Sequence, residues 1–149
     1  MSQCVFIAAD RPLPEVRPSQ SYPHHFNVDM GTIYDSGADD DFYLLPFDDV
    51  DIYCKRKYGV YLELDGYTEG RAKRIISYIK SALRQTDSVE IWNVWLMGYW
   101  EFDDRPYIRK KMVYIDELTP NELKELIEAE NWDNKDKNRP SFYCLELVR

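Results

Sequence analysis

Gly59-Val60-Tyr61-Leu62-Glu63-Leu64-Asp65 alternates without a break, with Val60, Leu62 and Leu64 on one side of an extended chain and Tyr61, Glu63 and Asp65 on the other. A period of two sends successive side chains to opposite faces of a sheet, so the stretch predicts a β-strand, ended by Gly66. Thr68 then stands where a helix cap is needed. Ala72, Ile75, Ile76, Ile79, Ala82 and Leu83 recur at the three- and four-residue spacing of a helix that reaches about Gln85. Arg71, Lys73, Arg74, Lys80 and Arg84 mostly take its remaining side and read as a solvated face.

Further along, Val89 to Met97 is the most apolar run in the chain, with Trp92, Val94 and Leu96 alternating against Val89, Ile91 and Trp95. A strand of this kind needs cover on both faces. A turn centred on Asp103-Asp104 leads to Tyr107–Ile115, a strand carrying Arg109, Lys110 and Lys111, and the two strands read as a long hairpin. Thr119-Pro120-Asn121-Glu122 joins a capping box to a proline at the first helical position and opens a helix to about Glu130. After the polar residues 131–140, Phe142 to Val148 is the last strand.

Read in order from residue 59, strand, helix, strand, strand, helix, strand resembles the β-α-β-β-α-β ferredoxin-like fold. The resemblance is one of topology over residues 59–148 and implies an α+β core. Both helices would lie on one face of an antiparallel sheet ordered 4-1-3-2. The opposite face, with Tyr61, Glu63, Phe142, Cys144 and Glu146, is too apolar to stay bare. The first 58 residues are expected to cover that face or extend a sheet edge. They read as a strand at Cys4–Ala9, a proline-bearing loop from Asp10 to His25, a small hairpin around Met30-Gly31, and a strand at Phe42–Leu45 ended by Pro46. The whole, residues 1–149, is read as one domain, with 1–58 an acidic β-rich segment on a core at 59–149.

Net charge is −8, and its distribution is uneven. Between Pro18 and Cys54 stand eight acids and no Lys or Arg, leaving 19 acids against 19 bases in the rest of the chain. A field of that sign repels phosphate backbones and anionic membranes, so neither is an expected partner. No apolar run approaches the ~20 residues that cross a bilayer, and residues 1–9 lack the pattern of a signal peptide. Cys4, Cys54 and Cys144 are too few and too scattered for a disulfide framework, and no C-x-x-C pair is present. These readings point to a cytoplasmic protein with free thiols, of which Cys4 and Cys144 lie in apolar, strand-like runs and read as core-packed.

Three places could carry chemistry. The acidic stretch with Asp39, Asp40 and Asp41, and Asp48, Asp49 and Asp51 behind it, reads as a solvated loop, a surface for a basic protein, or a Ca²⁺ or Mg²⁺ site. It lacks the EF-hand spacing. Glu63 and Glu146 would share a sheet face if their strands were neighbours, with Tyr61 beside them and Arg109 or Lys111 approaching; such a pair is a salt-bridge site or an acid-base pocket. His24-His25, the only histidines, have no metal-ligand spacing and read as an exposed loop pair.

Phe, Trp and Tyr make up 22 of the 149 residues, enough to fill a core and still leave some at the surface. Tyr99, Trp100 and Phe102 sit at a turn, where burial is hardest, and are candidate anchors for a protein partner. No phosphate loop, dinucleotide fingerprint or nucleophile elbow occurs, and no cofactor or metal is implied. The expectation is a protein-binding or regulatory protein and not an enzyme, in one form an inhibitor or immunity-like binder of a basic partner, or a homo-oligomer. The alternative is a small-molecule-binding domain or enzyme with its site between the open sheet face and the N-terminal segment.

Overall fold

Val5-Phe6-Ile7-Ala8-Ala9 is apolar on both of its alternating sides, so it is stable only where both sheet faces are covered. The computed structural model describes residues 3–17, 25–27, 32–34, 42–63, 66–96, 106–132 and 139–149. Within it, β1 (Gln3–Ala9) lies inside a six-stranded mixed sheet, buried from Val5 to Ala9. The other strands are β4 (Tyr43–Pro46), β5 (Tyr58–Glu63), β6 (Ser88–Trp95), β7 (Tyr107–Tyr114) and β8 (Ser141–Val148), in the spatial order β4-β5-β1-β6-β8-β7. Every neighbouring pair is antiparallel except β7 and β8, which are parallel. The small hairpin predicted near Met30 is present as β2 (His25–Asn27) paired antiparallel with β3 (Thr32–Tyr34), and its turn lies outside the described residues.

The helices follow the predicted signals closely. Helix α2 (Glu69–Ala82) is capped by Thr68, whose side chain accepts from the Arg71 N–H at 3.1 Å. Helix α3 (Pro120–Glu128) is capped by Thr119, which accepts from the Glu122 N–H at 3.4 Å, with proline in the first turn. Ile75, Ile76 and Ile79 of α2 and Leu123 and Leu126 of α3 pack on one sheet face, against Ile7, Val60, Ile91 and Leu145. A buried amide pair ties α3 down. Asn93 Nδ2 donates to the Leu126 carbonyl at 2.7 Å, and Asn131 Nδ2 to the Ser141 carbonyl at 2.8 Å. Arg71 departs from the expected solvated face: it is buried, and its guanidinium donates to the Gly66 carbonyl at 2.9 Å.

The strand order is not the predicted 4-1-3-2. The four strands of the β-α-β-β-α-β stretch run β5, β6, β8, β7 across the sheet, with β1 inserted between the first two. A central place demands burial on both faces, which would strip Arg109, Lys110 and Lys111 of water at high cost. β1 carries no charge and takes that place, while β7, buried only at Val113, goes to an edge. For the same reason β6 and β7 do not form the predicted hairpin; β8 lies between them, reached from β7 through α3 as a parallel βαβ unit.

The N-terminal segment does three things, of which two were anticipated. β4 extends one sheet edge. Residues 47–54, including the short helix α1 (Val50–Tyr53), cover the face opposite the helices, where Phe47 stacks on Phe6 at 4.7 Å and Tyr53 meets Phe142 at 5.8 Å. The insertion of β1 is the unanticipated third. The proline-bearing loop runs over α2, where Tyr78 Oη donates to the Pro14 carbonyl at 2.6 Å. Among the described residues no helix is long and apolar enough to cross a membrane.

Candidate functional site

β7 is an edge strand of eight residues, and its chemistry follows from which way its backbone points. The Tyr107 N–H donates inward to the Pro140 carbonyl at 2.9 Å. Peptide groups alternate along a strand, so 107, 109, 111 and 113 face β8. The N–H and C=O groups of Ile108, Lys110, Met112 and Tyr114 therefore point out of the sheet, and among the described residues no strand pairs with them. Ile108, Met112 and Tyr114 also expose about half of their surface, at 52%, 56% and 52%. An open ladder edge beside exposed apolar side chains is the arrangement to which an extended peptide adds as a further strand.

Each face of β7 is backed differently. Arg109 and Lys111 lie on the helix side, in register with Tyr143 and Leu145, and line a groove of about 390 Å³ that α3 closes with Glu122, Glu125 and Leu126. Lys111 Nζ is 3.9 Å from Glu122 Oε1, a long pair, and Arg109 has no carboxylate within ion-pair distance among the described residues. On the other face, Lys110 Nζ sits 2.8 Å from Glu146 Oε2 and 3.7 Å from Glu90 Oε2. That hydrogen bond holds the Glu146 carboxyl below, and the Lys110 ammonium above, their ordinary ranges.

Behind Lys110 lies a buried charge network. Glu90 is 5% exposed; its Oε2 accepts from Arg56 Nε at 2.7 Å and its Oε1 from Trp92 Nε1 at 2.8 Å. Arg56 also donates to Asp10 Oδ2 at 3.1 Å and to Ser88 Oγ at 2.7 Å. Each of these carboxylate and guanidinium groups is engaged, so the network fixes the 47–58 segment to the sheet. Burial disfavours the thiolate of each cysteine: it pushes Cys54, beside this network, up to about 11 and Cys4, farther along β1, up to about 12, and it raises Cys144.

The predicted site residues are scattered. Glu63 and Glu146 do share the face opposite the helices, but β1 and β6 intervene between β5 and β8, so the two do not form a pair. Three strand spacings and four residues of register put them roughly 20 Å apart. Their expected adjacency fails because β1 occupies the place beside β5. Tyr61 stands opposite Phe6, and Arg109 is on the face away from Glu146, whose partner is Lys110. Asp48 and Asp49 are exposed between β4 and α1, near the sheet edge remote from β7. Asp39, Asp40, Asp41, Tyr99, Trp100, Phe102 and His24 lie outside the described residues. Among the described residues no three His, Cys, Asp or Glu side chains gather to hold a metal ion.

Sequence reading missed Ile108, Met112 and Tyr114 as a surface, and Arg56 and Glu90 as a pair. The first had a signal: three consecutive bases inside an apolar strand mark an edge, where charge keeps the strand soluble. The second had none, since 34 residues separate the partners and neither neighbourhood is unusual. No family model, curated protein or solved structure matches this chain.

Proposed function

We propose that this chain is a protein-binding, regulatory domain, not an enzyme, that takes its partner along the open edge of β7. One observation carries the reading: outward backbone groups at Ile108, Lys110, Met112 and Tyr114 coincide with exposed apolar side chains on the same residues. Main-chain hydrogen bonds supply affinity in this mode and alternate side chains supply selectivity. An inhibitor or immunity-like protein of the cytoplasm is a specific form of the proposal, in which the acids at 39–41, 48 and 49 attract a partner of net positive charge at long range. The rival reading, a small-molecule site between sheet and N-terminal segment, is disfavoured by the rings of Phe6, Phe47, Tyr53, Trp92 and Phe142, which pack into that layer.

Met112→Pro tests the edge. Proline removes an N–H that faces outward and so spares the ladder to β8. Wild type is expected to retain a partner from extracts of the cells that make it, and folded Met112→Pro to lose it. Identical capture by both proteins would overturn the reading.

A further inference from the structure

The chemistry of the bound strand can be inferred on the basis of that edge-binding reading. A strand added to β7 places one residue directly opposite each residue of the edge, and directly opposed side chains interact most strongly. On the helix-side face the new residues meet Arg109 and Lys111, at the mouth of the groove. On the other face they meet Ile108 and Met112, with Lys110 between them already held by Glu146. Arg109 lacks a carboxylate partner among the described residues, and Lys111, itself 66% exposed, has a long one at 3.9 Å in the half-buried Glu122. Glu122 and Glu125 stand across the groove on α3, outside the ladder.

A second copy of this chain is a poor occupant. Antiparallel pairing of β7 with itself keeps faces matched only when the twofold axis passes through a residue. In each register centred on the basic run, Arg109, Lys110 or Lys111 then opposes its own copy, and like charges directly opposite destabilise a ladder. Charge complementarity favours carboxylates.

We propose that β7 takes an extended strand of a partner protein with two carboxylates at alternate positions, opposite Arg109 and Lys111, flanked by apolar residues opposite Ile108 and Met112. The pattern is apolar, acidic, any residue, acidic, apolar. It reads the same in both directions, so it serves parallel and antiparallel addition alike.

The test uses the full chain and a fluorescein-labelled peptide, Thr-Val-Glu-Thr-Glu-Val-Thr, followed by fluorescence anisotropy. Saturable binding is expected, with Kd on the order of 0.1–1 mM for so short a strand. The same peptide with Lys for Glu should bind roughly tenfold more weakly. Arg109→Glu with Lys111→Glu, two exposed positions, should reverse that preference, and Met112→Pro should abolish both interactions. Equal binding of the two peptides, or tighter binding of the Lys peptide to wild type, would overturn the carboxylate pattern and leave the edge reading standing. Self-association that Met112→Pro abolishes, seen in sedimentation equilibrium, would do the same. If neither peptide binds wild type, or if Met112→Pro binds as well as wild type, the edge reading falls too.

Discussion

Replacing Arg56 by Met measures what the buried network contributes. Arg56 makes the short 2.7 Å contact to Glu90 Oε2, and the Glu90 side chain is only 7% exposed. Methionine keeps the apolar stem and removes the charge, leaving a carboxylate that water cannot reach. Breaking a buried pair in this way costs ~3–5 kcal/mol. Trp92 Nε1 still donates at 2.8 Å, and Lys110 lies 3.7 Å away and can close in, so the loss should fall near the lower bound, ~3 kcal/mol. Against a total stability of ~5–15 kcal/mol that is a large fraction. Adding Glu90→Leu removes the stranded charge; the double variant should lose only ~1–2 kcal/mol, chiefly for the orphaned Trp92 N–H. Glu90→Leu alone also orphans the Trp92 N–H and should cost a similar ~1–2 kcal/mol, so the coupling, the two single losses less the double, is ~3 kcal/mol. Urea unfolding at pH 7, followed by tryptophan fluorescence, reads all four proteins, and urea leaves the pair unscreened because it is not a salt. A single Arg56→Met loss under ~1 kcal/mol, or effects that simply add, would refute the view that Glu90 depends on Arg56.

The Lys110–Glu146 pair makes stability depend on pH at both ends. Glu146 is lowered from 4.5 in the fold, so its contribution is present above that value and is lost as pH falls through the folded pKa; Lys110 is raised above 10.5, so its contribution is present below that value and is lost as pH rises through the folded pKa. Lys110→Met should flatten both limbs of a stability profile measured by urea titration, and unchanged limbs would dismiss the pair. Met112→Pro should cost under ~1 kcal/mol, whereas Val113→Pro, which removes an inward N–H and a buried side chain, should cost ~3 kcal/mol or more; equal losses in thermal melts would contradict the assigned edge. All three cysteines should react with Ellman's reagent only slowly at pH 8 in the native state and fully in urea. Rapid native labelling of Cys54 or Cys144 would show that the 47–58 segment opens readily.

Local structure was largely legible because it is written in local patterns. The isoleucines of α2, the Thr119-Pro120 start of α3 and the alternation at 60–64 each predict the element that is found. Neighbourhood was not. The apolar character of Val5 to Ala9 on both sides says that this strand is central, but it does not say between which strands, and the topological analogy assigned that place to the wrong segment. The same ambiguity undid the predicted site. Glu63 and Glu146 were placed on the correct face, and their adjacency depended on a strand order that periodicity cannot encode. Buried charge was equally silent: Arg71 and Glu90 look like surface residues until the Gly66 carbonyl and Arg56 arrive from distant or irregular backbone.

The place of β8 between β6 and β7 ties assembly of that edge to the synthesis of residues 141–148. During translation β7 leaves the ribosome before its only ladder neighbour among the described strands, and it cannot join the sheet until residues 141–148 have followed. β1 waits as well, since its two neighbours lie some fifty and eighty-five residues later in the nascent chain. Contacts this distant in sequence raise contact order and slow folding. The β7 edge thus comes into being only once β8 has been made, and chains stalled before residue 141 would lack it.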